Sequence, residues 1–103
     1  MSSRKYEFVP GDEVIIPRYS RPDNVLKRIR RISDGVLGGF IEKESNLSHE
    51  GTCWVGDLAY VMDESQVIED AQVLDEAWIE GSSLIGGEAV VGNRELIIDE
   101  VRI

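Results

Sequence analysis

The C-terminal half of the chain places Val or Ile at every sixth position: Val55, Val61, Val67, Val73, Ile79, Ile85, Val91, Ile97 and Ile103. This period matches neither the 3.6-residue repeat of a helix nor the two-residue alternation of a flat strand. A fixed six-residue beat is the mark of a parallel β-helix, in which each short strand is followed by a corner. Written in sixes from Cys53, the chain reads CWVGDL, AYVMDE, SQVIED, AQVLDE, AWIEGS, SLIGGE, AVVGNR, ELIIDE, VRI. The first place is usually small, the third always branched, and the fifth and sixth mostly acidic, Gly, Asn or Ser. The branched residue predicts the core, the small residue the inner side of a corner, and the polar pair the turn itself.

Three such sides close one triangular coil of about 18 residues, with coils about 4.8 Å apart. The pattern predicts an all-β fold: a parallel β-helix of about three coils over residues 53–103, behind an N-terminal β cap over residues 1–52, in one compact domain. In the cap, residues 5–17 read as two short strands around Pro10-Gly11, residues 25–33 as a third, and residues 40–42 as a fourth. Asp34-Gly35 and Gly38-Gly39 mark turns, and residues 45–51 form the loop that leads into the repeats. No stretch carries a helical period. The last coil stops at Ile103 in phase and uncovered, which predicts self-association through the C-terminal coil.

Composition changes this picture mainly through charge. Of 103 residues, 20 are Asp or Glu and 11 Lys or Arg, a net charge of −9. Residues 51–103 hold twelve of the acids and two of the bases, whereas residues 1–50 are nearly balanced. Arg18, Arg21, Lys27, Arg28, Arg30 and Arg31 form a basic cluster whose local sequence offers only Asp23 in opposition. The sequence thus predicts a basic patch joined to an acidic rod that repels nucleic acid and membrane surfaces and attracts basic proteins. The single cysteine, Cys53, excludes an internal disulfide framework, and the segment after Met1 lacks the apolar stretch of a secretory leader. No apolar run is long enough to span a bilayer. These features predict a cytoplasmic protein.

The repeat resembles the hexapeptide-repeat, left-handed β-helix superfamily. A second likeness is more specific. The segments Leu26-Lys27-Arg28-Ile29-Arg30-Arg31-Ile32, Gly38-Gly39-Phe40-Ile41 and Asn46-Leu47-Ser48-His49-Glu50-Gly51-Thr52-Cys53-Trp54-Val55 look like the opening module of certain bacterial and prophage β-solenoid proteins. Those carry a basic "RIRAL" strand, a "GG[WF][IV]" turn and an "NLSxEGxCWV" lead into the first repeat. The resemblance covers residues 25–103 and implies a left-handed coil and a phage-type protein. This chain is short for that group, which favours a stripped-down binding module over a long rod.

Catalytic chemistry finds little support. Acyltransferases of the superfamily need a catalytic His, and only His49 is present, outside the repeats. Its zinc hydratases need three His ligands. Gly81-Ser82-Ser83-Leu84-Ile85-Gly86-Gly87 lacks the Gly-Lys-[Ser/Thr] ending of a phosphate loop and reads as two corners. Cys53 occupies an inward small place, as a buried thiol. No cofactor is expected, and no Asp-rich loop has the ligand spacing of a calcium site.

Two surfaces remain. Residues 18 apart stack on successive coils, so the acidic corners form ladders: Asp57, Asp75 and Asn93; Asp63 and Asp99, with Glu64 and Glu100 beside them; and Asp70 with Glu88. Regular carboxylates on a rod can imitate a nucleic-acid backbone and occupy a basic groove on a partner. The second surface is an outward apolar strip, Tyr60 and Met62, then Trp78, then Leu96 and Ile98, which the segment 5–17 or a partner should cover. The expected function is that of a non-enzymatic, acidic, homo-oligomeric binding protein. It would dock on a host protein and inhibit a nucleic-acid-handling defence complex. The alternatives are a self-assembly module and a degenerate acyltransferase-like enzyme.

Overall fold

In a computed structural model, which describes residues 4–98 and 100–103, the six-residue beat becomes a parallel β-solenoid. Three long strands come first: β1 (Tyr6–Ile16), β2 (Asn24–Arg31) and β3 (Leu37–Ile41). Eight two-residue strands follow: β4 (Trp54–Val55), β5 (Tyr60–Val61), β6 (Gln66–Val67), β7 (Gln72–Val73), β8 (Trp78–Ile79), β9 (Leu84–Ile85), β10 (Val90–Val91) and β11 (Leu96–Ile97). Each stacks in parallel on the strand 18 residues away, Tyr60 on Trp78 on Leu96 and Trp54 on Gln72 on Val90. Residues 66–67 lie on 84–85 in the third side. The described residues contain one 3₁₀ turn, Glu44–Asn46, and no α-helix.

The core follows the register. Val55, Val61, Val67, Val73, Ile79 and Ile85 are fully buried, and Val91 and Ile97 nearly so. Cys53, Ala59, Ser65, Ala71, Ala77 and Ser83 fill the small inward places. Ile103, also in phase, is 54% exposed.

The cap departs from the sequence reading in three ways. Residues 5–17 hold one strand, β1, rather than two, with a register shift between Phe8 and Glu13 that absorbs Pro10 and Gly11 as a bulge. This strand pairs antiparallel with β2 at the far edge of a six-stranded sheet, β1-β2-β3-β5-β8-β11. Second, the parallel stack begins before Cys53. Phe40 and Ile41 of β3 sit on Tyr60 and Val61, and Leu47 bridges to Val67. Residues 39–52 are therefore an aperiodic first coil, and its buried Ile41 and Leu47 close the core together with Ile29 and Tyr6. Gly38 and Gly39 make this junction possible. A Cβ on Gly38 would lie 2.6 Å from the Val55 carbonyl oxygen, and one on Gly39 2.5 Å from that of Ala59.

Third, the basic patch is neutralised within the molecule. Arg28 pairs with Asp12 at 2.9 Å, Arg30 with Glu7, and Arg31 with Asp34 at 2.9 Å. Arg18 reaches Glu80 at 2.9 Å and Arg21 reaches Asp63 at 3.1 Å. Lys27, Arg28 and Arg31 lie over the rings of Phe8, Phe40 and Trp54. The opposing carboxylates come from β1, from the turn after β2 and from the coils, all but Asp34 remote in sequence. A count along residues 18–31 could not find them.

Candidate functional site

The corners carry the acidic ladders, and backbone geometry explains their composition. Asp57, Asp63, Glu69, Asp75 and Asn93 have φ between 55° and 61°, and Gly81 and Gly87 take the same fifth place with positive φ. This left-handed region is strained for most L-residues and easiest for Gly, Asn and Asp. The side chains then stitch the coils together. Asp57 Oδ2 accepts from the Asp75 N–H at 3.1 Å, and Asp75 Oδ2 from the Asn93 N–H at 2.8 Å. Asp63 Oδ2 accepts from the Gly81 N–H at 3.0 Å, and Glu69 Oε1 from the Gly87 N–H at 2.7 Å. Each accepts from the residue 18 positions ahead, so the stacked carboxylates hold backbone donors instead of merely facing one another.

Asp63 is the most heavily engaged. It also receives Arg21 and the Asn24 amide, and its side chain is 10% exposed. Burial would raise its pKa, but Arg21, the Gly81 N–H and Asn24 outweigh it and hold the carboxyl below its ordinary range. Asp70 accepts from the hydroxyl and N–H of Thr52, which likewise lower its pKa. Glu64 pairs with Lys43 at 2.6 Å. Glu88 and Glu100 are exposed, and Asp99 lies outside the described residues. Among the described residues Asp57, Asp75 and Asn93 form a real stack and Asp63 sits on Gly81, and Asp57, Asp63 and Asp75 are built into the fold.

The apolar strip forms the outward face of the six-stranded sheet. Phe40, Tyr60, Trp78 and Leu96 stand in one file across β3, β5, β8 and β11. The Phe40 and Tyr60 rings meet edge-to-face with centroids 5.5 Å apart, and Tyr60 and Trp78 are 5.6 Å apart. The upper end of the file is covered. Ile16, Leu26, Phe40 and Met62 form a buried cluster, and the turn from β1 to β2 lays Arg18 across Met62 Sδ at 2.9 Å. Arg18 is held there by Glu80 and by Asn24 Oδ1 at 2.6 Å. Glu80 also accepts from the Trp78 indole N–H at 2.8 Å. The expected cover by residues 5–17 is thus partial, and the arginine just beyond that segment extends it only over Met62.

The lower end is open. Tyr60 and Trp78 are half-buried, whereas Leu96 is 63% and Ile98 44% exposed. Beside the file runs a groove lined by Leu58, Tyr60, Glu76, Ala77 and Trp78. Its floor is a small first-place residue and its outer wall a sixth-place corner column. Leu58, 54% exposed, was missed in the sequence reading. The signal was available: it is the one apolar residue in a sixth place, where the other coils carry Glu, Asp, Ser or Arg.

His49 and Cys53 sit together under β1. The His49 ring stacks on Tyr6 with centroids 4.2 Å apart, and its Nδ1 accepts from the Lys5 N–H at 3.0 Å. Burial pulls its pKa down against the opposing pull of Glu44. Tyr6 donates to the Leu47 carbonyl at 2.7 Å, and burial raises its pKa. Cys53 is buried, with the Lys5 ammonium 3.3 Å from its sulfur and 2.7 Å from its carbonyl oxygen. Together these contacts tie the start of β1 to the first coil. Among the described residues no three His, Cys, Asp or Glu side chains converge as metal ligands, and no helix is long and apolar enough to cross a membrane.

No protein-family model matches the chain, and no curated protein or solved structure matches it. The likeness of the Asn46–Val55 stretch to a solenoid opening module therefore rests on those residues alone.

Proposed function

We propose that the chain is a non-enzymatic docking module that presents the outward face of its six-stranded sheet to a partner protein. The observation that carries this reading is the graded cover of one apolar file. Along the file Phe40 is buried by the chain itself, Tyr60 and Trp78 are half-buried and Leu96 is left open, with Met62 buried and Leu58 open beside it. Exposed apolar surface continuous with a buried cluster and centred on Tyr and Trp has the composition of a binding hot spot. The acidic coils add long-range attraction for a basic partner, which speeds encounter more than it fixes the contact. In the version suggested by the resemblance to phage-type solenoids, the partner is a host protein with a basic nucleic-acid-binding groove. The two would meet in the host cytoplasm, and docking would inhibit the partner. The engagement of His49 by Lys5 and Tyr6 supports a structural over a catalytic part for it.

A photo-reactive residue in place of Leu96 tests this, with the same residue in place of exposed Gln66 on another side as control. A discrete covalent adduct with one protein from position 96 but not 66 is expected. Equal adducts from both positions, or none, would overturn the reading.

Self-assembly is the second reading, favoured by the exposure of Val90, Leu96, Ile98 and Ile103 on the last coil. In that case the adduct at position 96 is a crosslinked dimer of this chain, and Ile98→Lys shifts the sedimentation coefficient to that of a monomer.

A further inference from the structure

The groove between Leu58 and Trp78 carries chemistry more specific than apolarity. The molecule covers its own aromatic rings in a recurrent way, with a cation. Arg28 lies 4.5 Å from the Phe40 centroid, Arg31 5.1 Å from Trp54, and Lys27 5.4 Å from Phe8. Arg28 and Phe40 belong to the same file as Tyr60 and Trp78, since Arg28 pairs with Phe40 across β2 and β3. One and two strands further on, Tyr60 and Trp78 carry no such cation among the described residues.

What surrounds them is acidic. Glu76 lines the groove itself, the corner residues Asp57 and Asp75 are exposed next to the sixth-place wall, and Glu95 is exposed below its floor. The nearby basic residues are already engaged. Arg18 is held by Glu80, Asn24 and Met62, and Arg94 is paired with Glu76 at 3.1 Å. That second pair is solvent-exposed, with Arg94 at 85%. Exposed pairs of this kind exchange at little cost.

We infer that this groove takes an arginine side chain from a basic, extended segment of the partner, its guanidinium over the Tyr60 and Trp78 rings and its charge on Glu76. A planar guanidinium suits both parts of such a site, because it stacks on aromatic faces and pairs with carboxylate in a fixed fork. Leu58 and Leu96 then shield the stacked cation at either end. The guest would repeat, from outside, the contact that Arg28 makes with Phe40 one step up the file. This inference rests on the docking reading above and narrows it to a partner chemistry.

The probe is a tetra-arginine peptide, compared at matched ionic strength with tetra-lysine and tetra-glutamine. The readout is the pair of indole N–H resonances, with Trp54 as the internal control because it is buried and already covered by Arg31. Tetra-arginine should move the Trp78 resonance to saturation and leave Trp54 in place, tetra-lysine should bind about threefold more weakly, and tetra-glutamine should do nothing. Glu76→Gln, at an exposed corner, should weaken binding by about threefold or more without unfolding the chain. Asp70→Asn, on another corner column, should leave it unchanged. Two results overturn the inference: no movement of Trp78, or movement equally weakened by Glu76→Gln and Asp70→Asn, which is diffuse charge attraction. If position 96 still yields a protein adduct while Trp78 ignores arginine, the docking reading stands and the arginine site falls. If both fail, both fall.

Discussion

The two ends of the six-stranded sheet obey different rules. Through β5, β8 and β11 most positions repeat an environment 18 residues away, so side-chain type follows place: branched inside, usually small beside the corner, left-handed-tolerant at the turn. In β1, β2 and β3 each position occurs once. Register shifts at Phe8/Glu13 and Arg28/Arg30 break the alternation, and ion pairs and cation–ring contacts hold the strands. The repeating part is uniform and stable by stacking. The aperiodic part decides where the stack starts and how much of its outer face is left open. The difference teaches where to look for function, which is the seam between them, where Arg18 stops covering and Trp78 begins to show.

The largest expected effect lies in the periodic core. Val73→Asp would put an unpaired carboxylate in the middle coil and should cost several kcal/mol, about 3–5, in urea unfolding. Tolerance equal to that of a corner substitution would mean that the register is wrong. At the seam, Gly39→Ala forces a methyl against the Ala59 carbonyl and should cost about 1–3 kcal/mol. Asp63→Ala leaves Arg21, Asn24 and the Gly81 N–H without their acceptor and should cost about 1–3 kcal/mol as well. It should also loosen the β1–β2 turn, seen as faster amide exchange around residues 18–23. Exchange unchanged there would argue that the pairing of Arg21 and Asn24 with Asp63 is not what holds this turn against the coils.

Acid should act more gently and in two stages. His49 has a folded pKa below its ordinary value, so the unfolded chain binds its proton first and stability falls as pH drops below about 6.5. Asp63, Asp34 and Glu44 are also depressed, so their contribution is complete above about pH 4–5 and is lost as pH falls through their folded values. Urea midpoints at pH 7, 5.5 and 3.5 should decrease in that order, and His49→Gln should flatten the first step only. A midpoint that rises on acidification would contradict both assignments. The smallest effect belongs to the corners. Asp75→Asn keeps a residue suited to positive φ and an oxygen for the Asn93 N–H, and should change stability by about 0.5 kcal/mol or less.

The same contrast explains what the sequence could reveal. Eight of the nine in-phase branched residues are buried, because a repeated environment averages out local exceptions and leaves the period visible. The cap lacks that redundancy. Pro10-Gly11 looked like a turn between strands, and only the pairing with β2 makes it a bulge. Residues 39–52 form a coil without the beat, since Gly38 and Gly39 answer to the closeness of Val55 and Ala59 rather than to a repeat place. For the site, Tyr60, Trp78 and Leu96 were legible as one strip from their spacing. The half-covering of that strip was not, because Arg18 and Met62 are 44 residues apart. The Asp57–Asp75–Asn93 ladder was legible as a stack, but its hydrogen bonds to N–H groups 18 residues ahead depend on corner geometry that composition does not encode.

The claim that recognition belongs to the open file and not to the corner carboxylates can be tested in one measurement: the yield of the position-96 photo-adduct in two altered backgrounds. In the first, Asp57→Asn, Glu69→Gln and Asp75→Asn remove corner charge while keeping the stacking oxygens. In the second, Leu58→Lys places a charge at the mouth of the groove. The adduct should persist at more than about half its yield in the first background and disappear in the second. Loss in the corner-neutralised chain with survival in Leu58→Lys would contradict the account and return the function to the acidic ladders.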